Sequence, residues 1–272
     1  MEQLPVRNPF PGAASFYLLE TTSTMDDAKK LVRLGFPPGS VVAAGSQSAG
    51  RGRFPDRVWE AEGEANLLAT LILAREAALL PGFPLRMGLA LCRAVDLFCL
   101  QSGYYPPSPP ELKWPNDVLI GDRKLAGILC EATAEATFAG FGVNINQRSF
   151  PGALAAKATS LVQALGLGET APPLDRFRLL ELVLDQISLV LAETGWKEEA
   201  EALLWKRGER VRFQEGLPES NSIVEGRILG ISPEGALLID VAGEKQPRAL
   251  SAGELILTEA PRVDRGDYNH IR

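Results

Sequence analysis

ELKWPNDVLIGDRKLAGILCE, residues 111–131, breaks into three short apolar segments at 111–114, 118–120 and 124–131, with the turn formers Asn116-Asp117 and Gly121-Asp122 between them. Segments of strand length joined by such turns predict an antiparallel meander. Pro115 fixes the chain ahead of the first turn, and Lys124 stands where the longest apolar segment begins. Upstream, residues 85–101 carry Leu85, Leu89, Cys92, Val95 and Phe98 at helical spacing, and residues 66–73 form an apolar run of strand length. Downstream, residues 137–143 add a strand, and residues 175–193 place Phe177, Leu180, Leu184, Ile187 and Leu191 on one helical face, with Gly195 as the expected stop.

Further out, residues 16–19 read as a strand. Ser23-Thr24 then open a capped helix with Asp26 and Asp27 in its first turn and Gly35 at its end. Residues 41–44 are a strand, 45–56 a loop rich in Arg and Gly, and 1–14, with three prolines, a surface-hugging lead-in. From Gly208 the texture changes to the short strands RVRFQ, IVEGRILGI, ALLID and ELIL, with a Pro233-Glu234-Gly235 turn, which predicts a small β-barrel module.

Composition narrows the chemistry. A chain of 272 residues, 46% hydrophobic, accommodates one large domain and a small one. It has no run of about 18 uncharged apolar residues and no signal-peptide pattern at its start, so no membrane partner and a cytoplasmic location are expected. The net charge of −6 argues against DNA as a partner, and the lead-in leaves no room for an N-terminal DNA-binding domain. Between Gly208 and Ala260, nine acidic against five basic residues leave −4, which suits a protein-facing or scaffolding module better than a nucleic-acid binder. Cys92, Cys99 and Cys130 lack paired-ligand spacing and read as buried residues. The single histidine, His270, lies in a polar tail, so a Ser-His or Cys-His mechanism and a His-rich metal site are excluded.

Three segments carry candidate chemistry. Gly50-Arg51-Gly52-Arg53 offers flexible backbone and two guanidinium forks, fit for a carboxylate or phosphate or else a solvated basic loop. Lys113 to Asp117 is explained equally by turn chemistry and a core tryptophan or by a site, with Gly127 leaving room beside Lys124. In Gly140-Phe141-Gly142-Val143-Asn144 two glycines forgo packing in a strand, as close approach of a ligand or a β-bulge would require.

Taken in order, Ser23-Thr24, Gln47, Gly50 to Arg53, Trp59, Lys113 to Asp117, Asp122 to Ile128 and Gly140 to Asn144 closely resemble the biotin protein ligase family over residues 23–146, with a weaker match beyond. Met25 stands where the family usually has Asn, and the spacer between the arginine loop and Trp59 is one residue longer than its commonest form. The resemblance implies an α+β fold: a mixed sheet with helices mainly on one face in a catalytic domain, residues 1–207, followed by an SH3-like barrel and tail, residues 208–272. It implies ATP-dependent conversion of biotin to biotinyl-AMP and transfer to a lysine of a biotin carboxyl carrier protein, with Mg²⁺ assisting.

By the same resemblance, Ser23, Thr24, Met25, Gln47, Arg51, Gly52, Arg53, Lys124, Gly127 and Gly140 form the biotin side. Arg51, Arg53, Trp59, Asn116, Lys124 and Asn144 form the nucleotide side. Lys124, Arg51 and Arg53 would neutralise the meeting anions and Asp117 would orient or deprotonate the carrier lysine, with no resident metal ligands. A lipoate or octanoate ligase or transferase of the same fold and a non-catalytic biotin sensor are the alternatives. Homodimerisation is an expectation from relatives.

Overall fold

The computed structural model describes residues 1–54, 58, 59, 61, 63–216 and 222–256. Residues 55–57 of the loop spacer, Leu257 at the end of the last expected strand and the tail with His270 lie outside them.

The first module is an eight-stranded sheet. In chain order it comprises β1 (Glu2–Gln3), β2 (Ser15–Thr21), β3 (Val41–Gln47), β4 (Leu67–Ala74), β5 (Glu111–Lys113), β6 (Asp117–Ile120), β7 (Arg123–Ala132) and β8 (Ala136–Val143). Across the sheet these run β1-β2-β3-β4-β8-β7-β6-β5; β2 and β3 pair parallel and the other neighbours antiparallel. The meander of residues 111–131 is therefore present as β5-β6-β7. Helix α1 (Thr24–Arg33) lies on one face, where Met25, Ala28 and Leu31 pack on Val42, Ile72 and Phe138. The long helices α2 (Phe83–Gln101) and α5 (Arg176–Ala192) cover the other face through the larger apolar core. The short helices α3 (Leu154–Lys157), α4 (Leu161–Ala164) and α6 (Trp196–Ala202) lie along the connections.

Several local readings change. Ser23 occupies the N-cap of α1 but makes no side-chain capping bond, whereas Asp175 caps α5 by accepting from the amides of Phe177 and Arg178. Helix α5 ends at Ala192, and Gly195 starts α6 rather than stopping α5. Residues 45–47, expected in a loop, continue β3, because β2 extends to Thr21 and supplies a parallel partner for Gln47. The lead-in adds β1 to the sheet edge and buries Leu4. Among the thiols Cys92 and Cys99 are buried and Cys130 is partly so.

The second module contains β9 (Arg210–Glu215), β10 (Ile223–Ile231), β11 (Leu237–Asp240), β12 (Arg248–Leu250) and β13 (Gly253–Ile256) in one antiparallel sheet, ordered β12-β11-β10-β9-β13. Among the described residues the end strands β12 and β13 do not pair, so the module is an antiparallel sheet without a hydrogen-bonded closure into a barrel. It docks on the first module through Trp114, 2% exposed, whose indole donates to the Gly235 carbonyl at 3.0 Å and packs on Phe213. A Cβ on Gly235 would lie 2.6 Å from the Gly82 Cα, so the two backbones meet where neither can carry a side chain.

Candidate active site

Strand periodicity builds the floor of the site. Side chains two apart share a face, and on β8 Ala136 and Phe138 lie beneath α1. The next two positions on that face are Gly140 and Gly142. The sheet is therefore bare beyond the N-terminus of α1, and a cavity of about 640 Å³ opens there. Protein side chains fill the space left by the missing Cβ atoms: a Cβ on Gly142 would lie 2.4 Å from the Trp59 ring, and one on Gly140 3.2 Å from the Met25 methyl. The glycines thus seat Trp59 and Met25 on the sheet, and those two side chains form part of the cavity wall.

One end of the cavity is polar and uncharged. Gln47 Oε1 accepts from the Thr24 amide at 2.7 Å and from Thr24 Oγ1 at 3.0 Å, which turns the amide NH₂ of Gln47 away as a donor. Thr24 Oγ1 is also 2.9 Å from Thr70 Oγ1. Ser23, buried beside them, keeps its hydroxyl free of helix capping.

The other end is cationic, and a β-bulge creates it. Asp117 pairs with Gly127 and Val118 with Ala126, but Leu119 pairs with Lys124, so β7 contains one extra residue at Leu125. In a regular strand Lys124 and Gly127, three apart, would face opposite sides. The bulge re-aims Lys124, and its Nζ comes 3.1 Å from the position of a Gly127 Cβ. There Nζ is 2.8 Å from Asp117 Oδ1 and 5.4 Å from the Trp59 ring centroid.

Asn116, between β5 and β6, donates to the Ile128 carbonyl of β7 at 2.7 Å. Asn144, 4% exposed, donates to the Thr159 carbonyl at 3.1 Å while its Oδ1 has no partner among the described residues. The Trp59 indole N–H is likewise buried without one.

In the loop, Arg53 Nη2 reaches the Gly253 carbonyl of β13 at 2.5 Å. The Arg51 guanidinium donates to both oxygens of Asp26, at 2.7 and 3.2 Å, and holds the Asp26 carboxyl below the usual carboxylate range. Phe54 is buried.

The residues given a biotin, nucleotide or catalytic role line this one cavity, namely Ser23, Thr24, Met25, Gln47, Arg51, Gly52, Arg53, Trp59, Asn116, Asp117, Lys124, Gly127, Gly140 and Asn144, whereas Gly50 and Val143 of the same motifs do not. Other wall residues lie outside every motif. Phe150, Leu154 and Lys157 come from the segment after β8, pinned beside Lys124 by the Thr159 amide donating to the Lys124 carbonyl at 2.9 Å. Gln214, Glu254 and Leu255 come from the second module, which the sequence assigned to protein-facing or scaffolding work. No motif in the sequence marked either group.

Residues 16–147 match the model of the biotin/lipoate A/B protein ligase family, and residues 208–257 match the biotin protein ligase C-terminal domain. The biotin–[acetyl-CoA-carboxylase] ligase of Paracoccus denitrificans is 32% identical over 239 residues, covering 82% of this chain and 92% of its own. The bifunctional ligase/repressor BirA of Bacillus spizizenii is 30% identical, over 80% of this chain and 67% of the relative. The structure of the biotin protein ligase from Aquifex aeolicus in complex with biotin and ATP superposes with a TM-score of 0.74 at 28% identity, covering 92% of this chain and all of that one. With both modules matched in order, by relatives that align along most of its length, this chain belongs to the biotin protein ligase family.

Proposed function

We propose that this chain activates biotin with ATP to biotinyl-AMP and transfers the biotinyl group to a lysine of a carboxylase carrier protein. The observation that carries this reading is the polarity of the cavity: neutral donors and acceptors at the Ser23, Thr24 and Gln47 end, and Lys124 at the other. Biotin has the same asymmetry, a neutral ureido ring at one end and a carboxylate at the other. The amide NH₂ of Gln47 and the Ser23 hydroxyl suit the ureido carbonyl. Met25 and Trp59 enclose the apolar middle, against Gly140 and Gly142.

In the first step a biotin carboxylate oxygen attacks the α-phosphorus, and the bond from that phosphorus to the departing pyrophosphate breaks. Two anions must approach each other, so fixed positive charge is worth most where the charge is shared. Lys124 provides it, and Arg53 adds a second cation on the cavity wall. Asn116 and Asn144 occupy the nucleotide side, where the unpartnered Asn144 Oδ1 can accept a hydrogen bond.

In the second step the carrier amine attacks the acyl carbon, AMP leaves and the nitrogen loses a proton. Asp117, beside Lys124, is the carboxylate placed to receive or orient that amine. ATP chemistry of this type ordinarily uses Mg²⁺. Among the described residues no three His, Cys, Asp or Glu side chains are grouped to hold a metal, and Asp117 is paired with Lys124, so the residues fit a cation carried chiefly by the nucleotide phosphates.

On this reading residues 1–207 form the catalytic domain and 208–272 the C-terminal module, which contributes wall residues to the site. No helix among the described residues is long and apolar enough to cross a membrane. The enzyme would work in the cytoplasm, as a homodimer, without binding DNA. Incubating the protein with ATP and separate pools of biotin and lipoate, with mass spectrometry of the products, tests the function. Biotinyl-AMP is expected; lipoyl-AMP in its place, or no adenylate, overturns it.

A further inference from the structure

The Gly50 to Arg53 loop is attached in an uneven way. The amides of Ser48 and Ala49 are zipped to the carbonyls of Thr21 and Thr22 at 2.9 Å each, continuing the β2–β3 pairing. Beyond Ala49 that pairing stops. The loop then closes on itself, through a bridge between Arg51 and Val58 and the Trp59 amide donating to the Gly50 carbonyl at 3.0 Å. Side chains tie it to the rest of the protein: Arg53 to the Gly253 carbonyl, and Arg51 to Asp26.

The Arg51 tie belongs to a charge network. Asp26 holds the guanidinium at two points, Glu131 Oε1 stands 3.9 Å from Nη2, and Lys29 Nζ completes the chain at 2.5 Å from Glu131 Oε2. Asp26 and Lys29 are on α1 and Glu131 is on β7; none of the three lines the cavity. Arg51 reaches from the cavity wall to carboxylates outside it. Planar two-point pairing fixes a guanidinium in orientation as well as distance.

We propose that Asp26 is a positioning residue: its grip on Arg51 holds the Gly50 to Arg53 loop closed over α1 while the adenylate is in the cavity. This rests on the functional reading above. The mixed anhydride must be kept from water between the two half-reactions, and beyond Ala49 the stretch Gly50 to Arg53 is joined to α1 and β13 through the side chains of Arg51 and Arg53. Asp26 sits one turn from Ser23 and Thr24, so the latch and the neutral end of the site share one rigid helix.

The test is a chase. Enzyme is loaded with labelled biotin and ATP, freed of excess ligand, and the half-life of the bound adenylate is followed for wild type, D26N and D26E. D26N should shorten the half-life roughly three- to tenfold, the scale of a partly exposed two-point pair. D26E should restore most of it, while the melting temperature stays within a degree or two. A half-life in D26N equal to wild type overturns the proposal. A longer one does so as well, since it would make Asp26 a competitor for an arginine that otherwise meets phosphate. If wild type forms no biotinyl adenylate, the functional reading fails instead. The latch is then still read in ligand-free protein, where amide exchange at Gly50 to Arg53 must be faster in D26N; equal exchange overturns it.

Discussion

Gly142→Ala tests the claim that the bare strip of β8 exists to seat Trp59. The added Cβ would lie 2.4, 2.7 and 2.8 Å from three atoms of the Trp59 ring, about an ångström inside ordinary contact. Gly142 has no positive φ, so alanine costs nothing in backbone strain. The ring must move, and because it belongs to a surface loop it can do so without opening the core. A tryptophan losing about half of roughly 200 Å² of contact forfeits about 2.5 kcal/mol at ~25 cal/mol per Å². That weakens loop closure by a factor of roughly sixty.

The expected result is therefore split: a thermal midpoint near wild type, but adenylate lost from the enzyme tens of times faster and diffuse labelling of lysines in bystander proteins. Trp59→Ala should give the same phenotype, and the double variant no more than either single one, since both remove one contact. Wild-type retention of adenylate by Gly142→Ala, with an unchanged midpoint, would refute the reasoning. So would fully additive effects of the two substitutions.

Lys124→Ala should lower biotin-dependent pyrophosphate release by roughly 10²- to 10³-fold, the usual size of a lost transition-state charge contact, because Arg53 is tied to β13. Near wild-type release would remove Lys124 from the chemistry. Gly235→Ala, at φ +95° with its Cβ 2.6 Å from the Gly82 Cα, should destabilise the docking of the second module by roughly 1–3 kcal/mol. Limited proteolysis should then release residues beyond Gly208 faster than in wild type. Burial pushes the Cys99 thiol up to about 11 and the Cys130 thiol up to about 12, and raises Cys92 too. Iodoacetamide at pH 8 should leave all three unmodified until denaturant is added, and mass spectrometry of the native protein checks this.

Much of the molecule was legible from residue order alone. Apolar periodicity located α2, α5 and most strands within a few residues, because those patterns record which side of an element meets the core. Turn formers marked the β5-β6-β7 meander. The candidate site residues cluster in motifs along the chain, and those given a ligand or catalytic role line one cavity. Their order in the chain carried the family resemblance.

Other features depend on what each residue meets across space. Gly195 is a helix stop by its own chemistry, yet it begins α6, whose Trp196 is buried against α2 and under the Arg86 guanidinium. Ser23 stands at the N-cap of α1, yet its side chain makes no capping bond. Lys124 faces the site because of the bulge at Leu125, and neither Lys124 nor Leu125 signals it. Arg51 and Arg53 are alike in sequence, but one is held by Asp26 on α1 and the other by a carbonyl 200 residues away. Local propensity and periodicity are properties of neighbours along the chain, so the sequence by itself determined the elements and the inventory of reactive groups. Register, bulges and ion-pair partners depend on surfaces distant in the chain, so only the tertiary structure decided which way those groups point.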